Sequence, residues 1–356
     1  MKGLILCAGK GRRLQPLSFS QTKVMLPVAN RPVLYNCIDQ LLELGIREIG
    51  IVVNRAHKRE LVERLDDSEH VGVTFTFIEQ AEPRGIADAV KQAEAFIDRD
   101  PFLLLLGDNL IQESLLALKE SLTATKNNAA ILLAKMRSPQ DYGIAEIVGQ
   151  KIVRLEEKPR HPKSDLAVIG AYAFDENIFH AVHAIAPSNR GEYEITDALQ
   201  WLIDRGHAVT YSVTNKKYSD VGTVERWLEA NRWMLDAAAS GGQADRYDTS
   251  EGCTIIPPIS IGKGCQLKNS VIGPYVSIAA NAKIEQCVIE NSIVLENVEL
   301  QNIPHPIKNS VFGANSTLRH LNAETRTANV SVNECVSEYV LGNKTSIITK
   351  TKRGEQ

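Results

Sequence analysis

The densest set of residues able to do chemistry lies at residues 2–27, Lys-Gly-Leu-Ile-Leu-Cys-Ala-Gly-Lys-Gly-Arg-Arg-Leu-Gln-Pro-Leu-Ser-Phe-Ser-Gln-Thr-Lys-Val-Met-Leu-Pro. Without Cβ atoms, the backbone at Gly9 and Gly11 can approach an anion closely and turn its N–H groups toward it, while Arg12, Arg13 and Lys23 add fixed positive charge. These residues outline a polyphosphate site. A Walker A loop needs Gly-x-x-x-x-Gly-Lys-Ser/Thr, and a dinucleotide fingerprint needs a third glycine where this chain has Leu14, so neither fits. A plain strand-to-helix turn would also explain Gly-x-Gly alone. The paired arginines and the continuation Thr22-Lys23-x-x-x-Pro27 count against that simpler account.

Three further groups suit the same chemistry. Asp108 follows four leucines and Gly107, so its carboxylate is expected at the end of a buried strand; an Asp turn or helix cap is the ordinary alternative. Polyphosphate chemistry draws in a divalent cation, and Mg²⁺ is held by one or two carboxylates together with phosphate oxygens. Gln80, in Glu79-Gln80-Ala81-Glu82-Pro83-Arg84-Gly85, offers an amide donor and an acceptor suited to a pyrimidine edge. The adjacent Glu157-Lys158 pair could bind sugar hydroxyls and hold a phosphate, although such a pair is also common on solvated surfaces.

Positioning these groups requires strands and helices in alternation. Residues 4–7 and 49–53 are short apolar runs, Val73, Phe75 and Phe77 alternate with threonines, and residues 102–106 are apolar throughout. Between them, Leu34, Cys37, Ile38, Leu41 and Leu42 share one helical face, with Pro32 placed to open the helix and Gly45 to end it, and residues 86–97 read as a second helix. That order predicts an α/β, Rossmann-like domain: a mostly parallel sheet with helices on both faces, its ligands beyond the carboxyl ends of the strands. Residues 141–145 and 155–159 bracket a predicted hairpin, residues 167–172 read as a strand, and a helix opens near Ile195.

A small, polar stretch at 237–252 separates two kinds of sequence and reads as a linker. Beyond it, aliphatics recur at Ile255, Ile261, Leu267, Ile272, Ile278, Ile284, Ile289, Leu295 and Leu300, in steps of five or six. Such hexapeptide repeats predict a left-handed parallel β-helix over 253–350, regular to about residue 300 and blurred beyond. Residues 304–356 read as irregular enough to cap its end, with Ile347-Ile348 free to pair with a neighbouring subunit. The tail is therefore expected to assemble a homo-oligomer, leaving chemistry to residues 1–236.

With 356 residues, two or three domains are expected at about 150 residues each, and 44% hydrophobic content is enough for sizeable cores. A net charge of -3 argues against a nucleic-acid or anionic-membrane partner and for a small anionic ligand. The six cysteines form no Cys-x-x-Cys pair and are expected to be reduced. No stretch approaches the roughly 18 apolar residues of a membrane span, and no secretory leader is evident, so a cytoplasmic location is expected.

Gly9-x-Gly11-x-Arg13-Leu14, Pro16-Leu17, Lys23 and Leu26-Pro27 together resemble the signature of the sugar-1-phosphate nucleotidylyltransferases. Six later motifs follow in that family's order: the Gln80 loop, Gly107-Asp108-Asn109, Gly143 in its turn, Glu157-Lys158, the strand around Val168, and Arg190-Gly191-Glu192 leading on to Asp220. The family usually has Trp where Tyr218 stands. The resemblance covers most of residues 1–236 and favours the thymidylyl branch, whose long form carries a β-helical tail. It implies transfer of a thymidylyl group from dTTP to α-D-glucose 1-phosphate, giving dTDP-glucose and pyrophosphate, with Mg²⁺ as cofactor. It also implies roles: Arg13, Lys23 and Lys158 as catalytic charges; Ala8, Gly9, Gly11, Gln80, Gly85 and Asp108 around the nucleotide; Asn109, Gly143, Glu157, Lys158 and Val168 around the sugar phosphate; and Asp108 with Asp220 on the metal. Other readings stay open: a different NTP, acyl transfer on the β-helix with His305 or His320 as base, or a catalytically silent homologue.

Overall fold

Continuously apolar runs become buried strands. Leu4 and Ile5 of Lys2–Leu6 and the first four residues of Phe102–Leu106 are inaccessible to solvent or nearly so, and the two strands pair in parallel from Lys2 with Phe102 to Leu6 with Leu106. The computed structural model describes residues 1–66, 69–125, 127–240, 252–321 and 336–350. They fall into two compact units: Met1–Lys10 with Val33–Ser219, and Gly11–Pro32 with Asp220–Gln356.

In the first unit the sheet runs Lys151–Glu157, Gly143–Val148, Leu166–Phe174, Phe102–Leu106, Lys2–Leu6, Glu48–Val53, Thr74–Glu79; Ala129–Lys135 pairs with Leu166–Phe174 and carries Val209–Thr214 on its other side. The early strands are parallel, as alternation with helices requires. The later ones are mixed: Val209–Thr214 pairs with Ala129–Lys135 in parallel, but Leu166–Phe174 joins Phe102–Leu106 antiparallel, and the predicted hairpin forms as Gly143–Val148 against Lys151–Glu157. The sheet is therefore mixed, a Rossmann-like half extended by antiparallel strands. Phe102 is its central packing residue, fully buried with ring centroids 5.6 Å from Phe174 and 6.1 Å from Phe179. Helix Val33–Glu43 buries Leu34, Cys37, Ile38 and Leu41 as the spacing predicts, and Gly45, at φ 76°, ends it in the left-handed region. The single helix expected over residues 86–97 is instead two, Ile86–Gln92 and Glu94–Ile97, broken at Ala93.

In the second unit the hexapeptide period becomes three parallel sheets, the faces of a β-helix. Val276 lies beside Ser292, Val271 beside Val288 and Glu299 beside Thr317, so one turn of the coil takes about three hexapeptides. Ile272, Ile278, Ile284, Ile289 and Leu300 stack inside. The corners need left-handed backbone, which asparagine tolerates best among residues with side chains; Asn269, Asn281, Asn291, Asn297, Asn302, Asn309 and Asn315 all have positive φ. The coil does not end near residue 300. Val340–Leu341 pairs in parallel with Val311–Phe312, and Ser346–Lys350 with Thr317–Leu321, so Ile347 and Ile348 belong to a regular strand of this chain. The expectation of an irregular cap over 304–356 is corrected to that extent; 322–335 and 351–356 lie outside the described residues. Most of the expected linker, 241–251, lies outside them too. The segment Gly11–Pro32 also belongs to this unit, together with helix Val224–Ser240. Cys37, Cys253, Cys265 and Cys287 are free thiols.

Candidate active site

The first unit carries two groups of candidate residues, besides the Gln80 loop and the end of strand Lys2–Leu6. One surrounds Glu157, at the end of the hairpin. Its Oε2 accepts a hydrogen bond from Thr196 Oγ1 at 3.2 Å, and its Oε1 lies 3.4 Å from Arg190 Nη1 and 3.8 Å from Lys158 Nζ. A Cβ added to Gly143 would stand 3.0 Å from Glu157 Oε2, 2.5 Å from Thr196 Cγ2 and 3.8 Å from Val168 Cγ2, so Gly143, Glu157 and Val168 do meet. Lys158 is held at φ 43°, with its N–H donating to Tyr142 O at 3.0 Å, and its side chain reaches solvent. Thr196 opens helix Ile195–Asp204 and is fully buried. Arg190 also lies 3.7 Å from Glu194, whose Oε1 accepts from Ser188 Oγ at 2.9 Å. Burial raises the Glu194 carboxyl above its usual range despite Ser188 and Arg190, and burial with the Glu194 charge raises Asp197. The sequence motif pointed to Arg190 without a contact for it, and Thr196 was missed as a site residue.

The other group follows the leucine strand. Gly107 N–H donates to Leu6 O at 3.0 Å and sets the turn that carries Asp108, which is 9% exposed. Cys37 steadies this turn with Sγ contacts to Asn109 O (3.4 Å) and Leu106 O (3.6 Å). Burial first, then the Asp108 charge, push the thiol far above its ordinary value, so it stays protonated and able to donate. Asn109 is buried; its Nδ2 donates to Ile169 O at 3.1 Å, and its Oδ1 has no hydrogen-bond partner among the described residues. Only glycine fits beside it at position 170, where φ is 72° and a Cβ would collide with Asn109 Nδ2.

Gln80 is buried, with Nε2 donating to Gly85 O (3.2 Å) and Asp88 Oδ2 (2.8 Å). Asp88 in turn takes Arg84 Nη2 at 3.0 Å. Gly85, at φ 109°, passes so close to Tyr193 that a Cβ would sit 2.8 Å from its backbone nitrogen. Both amide hydrogens of Gln80 are thus turned inward and the loop is locked. Ala8 is buried at the end of its strand, whereas Gly9 is exposed.

The second unit carries Gly11, Arg13, Lys23 and Asp220. Gly11 has φ 58°, accepts Ser18 Oγ at 2.7 Å, and would place a Cβ 3.3 Å from Lys23 Cβ, which brings the loop's glycine and lysine together. A Cβ at Gly222 would stand 3.1 Å from Arg13 Nη2 and 3.3 Å from Asp220 Oδ2; the missing side chain leaves a small space between guanidinium and carboxylate. Asp220 Oδ1 pairs with Arg226 Nη1 at 2.5 Å. Among the described residues no cluster of three or more His, Cys, Asp or Glu could hold a metal, but Mg²⁺ bound mainly by phosphate needs only one or two carboxylates. Asp108 on its turn in the first unit and, in the second, Asp220 with its Oδ2 facing the gap at Gly222 are each a carboxylate of the kind that demand calls for.

An α/β sheet carrying glycine-rich and acidic turns at its strand ends defines a nucleotide-handling transferase. Residues 2–237 match the family model described as Nucleotidyl transferase, and the chain belongs to that family. It is 36% identical to a glucose-1-phosphate thymidylyltransferase of Streptomyces griseus, across 85% of this chain and 89% of that one. It is 37% identical to a UTP–glucose-1-phosphate uridylyltransferase of Haloferax volcanii, across 66% of this chain and 97% of that one. Among solved structures, a putative glucose-1-phosphate thymidylyltransferase from Bacillus anthracis in complex with a sucrose is similar at TM-score 0.62 and 36% identity, covering 65% of this chain and 94% of that one. The protein is a nucleotidyltransferase. No helix among the described residues is long and apolar enough to cross a membrane.

Proposed function

We propose that the protein transfers a thymidylyl group from dTTP to α-D-glucose 1-phosphate, releasing pyrophosphate. The observation that carries the sugar side is Asn109 Oδ1, a buried acceptor with no partner among the described residues. Such an atom costs about 1–3 kcal/mol unless something donates to it, and a sugar hydroxyl does. Glu157 accepts further hydroxyls, Gly143 lets Thr196 and Glu157 come close to its strand where a side chain would push them away, and Val168 packs beside it. Lys158 meets the phosphate as a mobile point charge. Because the donors of Gln80 are engaged by Gly85 and Asp88, its carbonyl oxygen takes the ring imide N–H of the base, with Gly85 alongside. That contact selects thymine or uracil over cytosine and leaves uridylyl transfer as the second reading, which the Haloferax relative favours.

The sugar phosphate oxygen is already an anion at neutral pH, so no protein base is required for its in-line attack on the α-phosphorus. The protein's work is to hold two repelling anions together and to neutralise the leaving pyrophosphate. Arg13 and Lys23 serve the pyrophosphate, with Ala8, Gly9 and Gly11 supplying close backbone, and Lys158 serves the attacking phosphate. Asp108 and Asp220 would hold Mg²⁺, which when bound supplies charge neutralisation at the α-phosphate. We assign this chemistry to residues 1–236 of a cytoplasmic homo-oligomer. The test is pyrophosphate release from glucose 1-phosphate with each of dTTP, UTP, CTP, ATP and GTP. Turnover highest with dTTP supports the proposal; preference for a purine nucleotide would overturn it.

A further inference from the structure

The loop that bears Arg13 and Lys23 has little structure of its own. Residues 11–32 form three single-turn 3-10 helices, Arg12–Leu14, Leu17–Phe19 and Lys23–Met25, and a pair of two-residue strands, Pro27–Val28 and Arg31–Pro32. Such short pieces do not hold themselves in place, so the arrangement must come from what they pack against. The strand pair turns at Ala29 and Asn30, both in the left-handed region at φ 49° and 64°, a conformation that alanine adopts only where neighbours enforce it.

The neighbours are coils of the β-helix and the helix before it. Asn30 Nδ2 donates to Ser260 Oγ at 2.9 Å and to Ile278 O at 2.8 Å. Ala29 N–H donates to Asn231 Oδ1 at 2.8 Å, and Ser277 Oγ donates to the same oxygen at 2.7 Å, so one buried amide joins loop, helix and coil. Trp227 Nε1 donates to Pro27 O at 2.7 Å. Near the other end of the loop, a Cβ on Gly342 would stand 3.2 Å from Pro16 Cβ, so the last described coil closes on the segment just after Arg13. Sequence separations of 200 and more lie between the loop residues and their hydrogen-bond partners.

We propose that the β-helix is a positioning element for nucleotidyl transfer: Asn30 and Asn231 pin the loop to coils at Ser260, Ser277 and Ile278, and this fixes Arg13 and Lys23 for the pyrophosphate group. The proposal rests on the roles given to Arg13 and Lys23 above. A loop fixed before the ligand arrives loses less conformational freedom on binding it, and the ligand binds correspondingly more tightly. Neither asparagine touches substrate; both act through the loop.

The test uses the full-length protein and inorganic pyrophosphate with Mg²⁺ as the probe, its affinity measured by calorimetry alongside steady-state kinetics. Asn30→Gly keeps the left-handed turn but removes both donated hydrogen bonds, while Ser277→Ala and Asn231→Ala loosen the shared amide from the coil and from the loop. Loss of the two Asn30 bonds is expected to weaken pyrophosphate binding about tenfold and to lower kcat to a similar degree, with the KM for glucose 1-phosphate changed less than about twofold. Folded Asn30→Gly and Ser277→Ala variants with wild-type pyrophosphate affinity and kcat would overturn the proposal, and so would a lowered Tm as their only change. Absence of turnover in the wild-type protein would instead contradict the function assigned above, and the pyrophosphate titration would still decide whether the coil positions the loop.

Discussion

Thr196→Val removes one hydroxyl and little else, and it isolates a contact on which sugar binding should depend. Thr196 is fully buried, and its Oγ1 donates to Glu157 Oε2 at 3.2 Å. A hydrogen bond to a charged group is worth about 1.5–3 kcal/mol. Glu157 is 19% exposed and keeps Arg190 within 3.4 Å, so water and the guanidinium take up part of the loss. About 1 kcal/mol should remain, close to a fivefold change in affinity. Calorimetry with glucose 1-phosphate, backed by steady-state kinetics with each substrate varied, should show sugar-phosphate affinity about fivefold weaker and nucleotide KM altered by less than about twofold. Thr196→Ser keeps the hydroxyl and should restore binding. A folded Thr196→Val protein with unchanged sugar-phosphate affinity, or one equally impaired for the nucleotide, would refute the idea that Thr196 orients Glu157 for the sugar.

Gly170→Ala forces alanine to φ 72° and drives its Cβ into Asn109 Nδ2, so urea denaturation should show a loss of roughly 2–5 kcal/mol; a loss below about 1 kcal/mol would mean that the strand yields there. Lys158→Ala should chiefly raise the sugar-phosphate KM and Arg13→Ala chiefly lower kcat, because the first charge is met in the ground state and the second by the leaving group; an unchanged sugar-phosphate KM in the lysine variant would remove Lys158 from the site. Asp108→Asn and Asp220→Asn should each lose most turnover while keeping native circular dichroism, and full activity at limiting Mg²⁺ in either would contradict its metal role. Burial raises the Glu194 carboxyl, so the stability linked to it is full below its ordinary value of 4.5 and falls as pH rises through the raised folded value. Glu194→Gln should therefore gain stability relative to wild type between pH 4 and pH 7 in urea titrations, and a relative loss over that interval would reverse the sign assigned to burial.

Legibility in the sequence followed the range of the physics. Local, periodic signals carried through: four consecutive leucines before Gly107 gave the strand that ends at Asp108, and hexapeptide spacing gave the coils from Ile255 to Leu300. Beyond Leu321 the pairing no longer follows that step. Val311 pairs with Val340 and Thr317 with Ser346, a step well beyond the three hexapeptides of earlier turns, so fixed spacing fails although the stacking continues. Antiparallel addition of Leu166–Phe174 was not legible either, since an apolar run reads alike in either direction, and Gly170 interrupts its register within the strand. Around the candidate site, residue types announced Glu157, Lys158 and Asp108. The Thr196 hydroxyl reaches Glu157 across 39 positions, and Asn30 reaches the coil across more than 200, with no periodic trace of either. The one local hint was the turn itself, Ala29-Asn30 between two short extended pieces, which asks for a partner to hold it.

The most direct measurement follows oxygen. Glucose 1-phosphate labelled with ¹⁸O in its phosphate, incubated with dTTP, Mg²⁺ and the protein, should give a sugar nucleotide whose ¹⁸O lies on the sugar-side phosphorus and in the bridge, with pyrophosphate free of label by ³¹P NMR. Label in the pyrophosphate, or a bridge oxygen derived from the nucleotide, would show that the sugar phosphate does not attack the α-phosphorus and would contradict the proposed reaction.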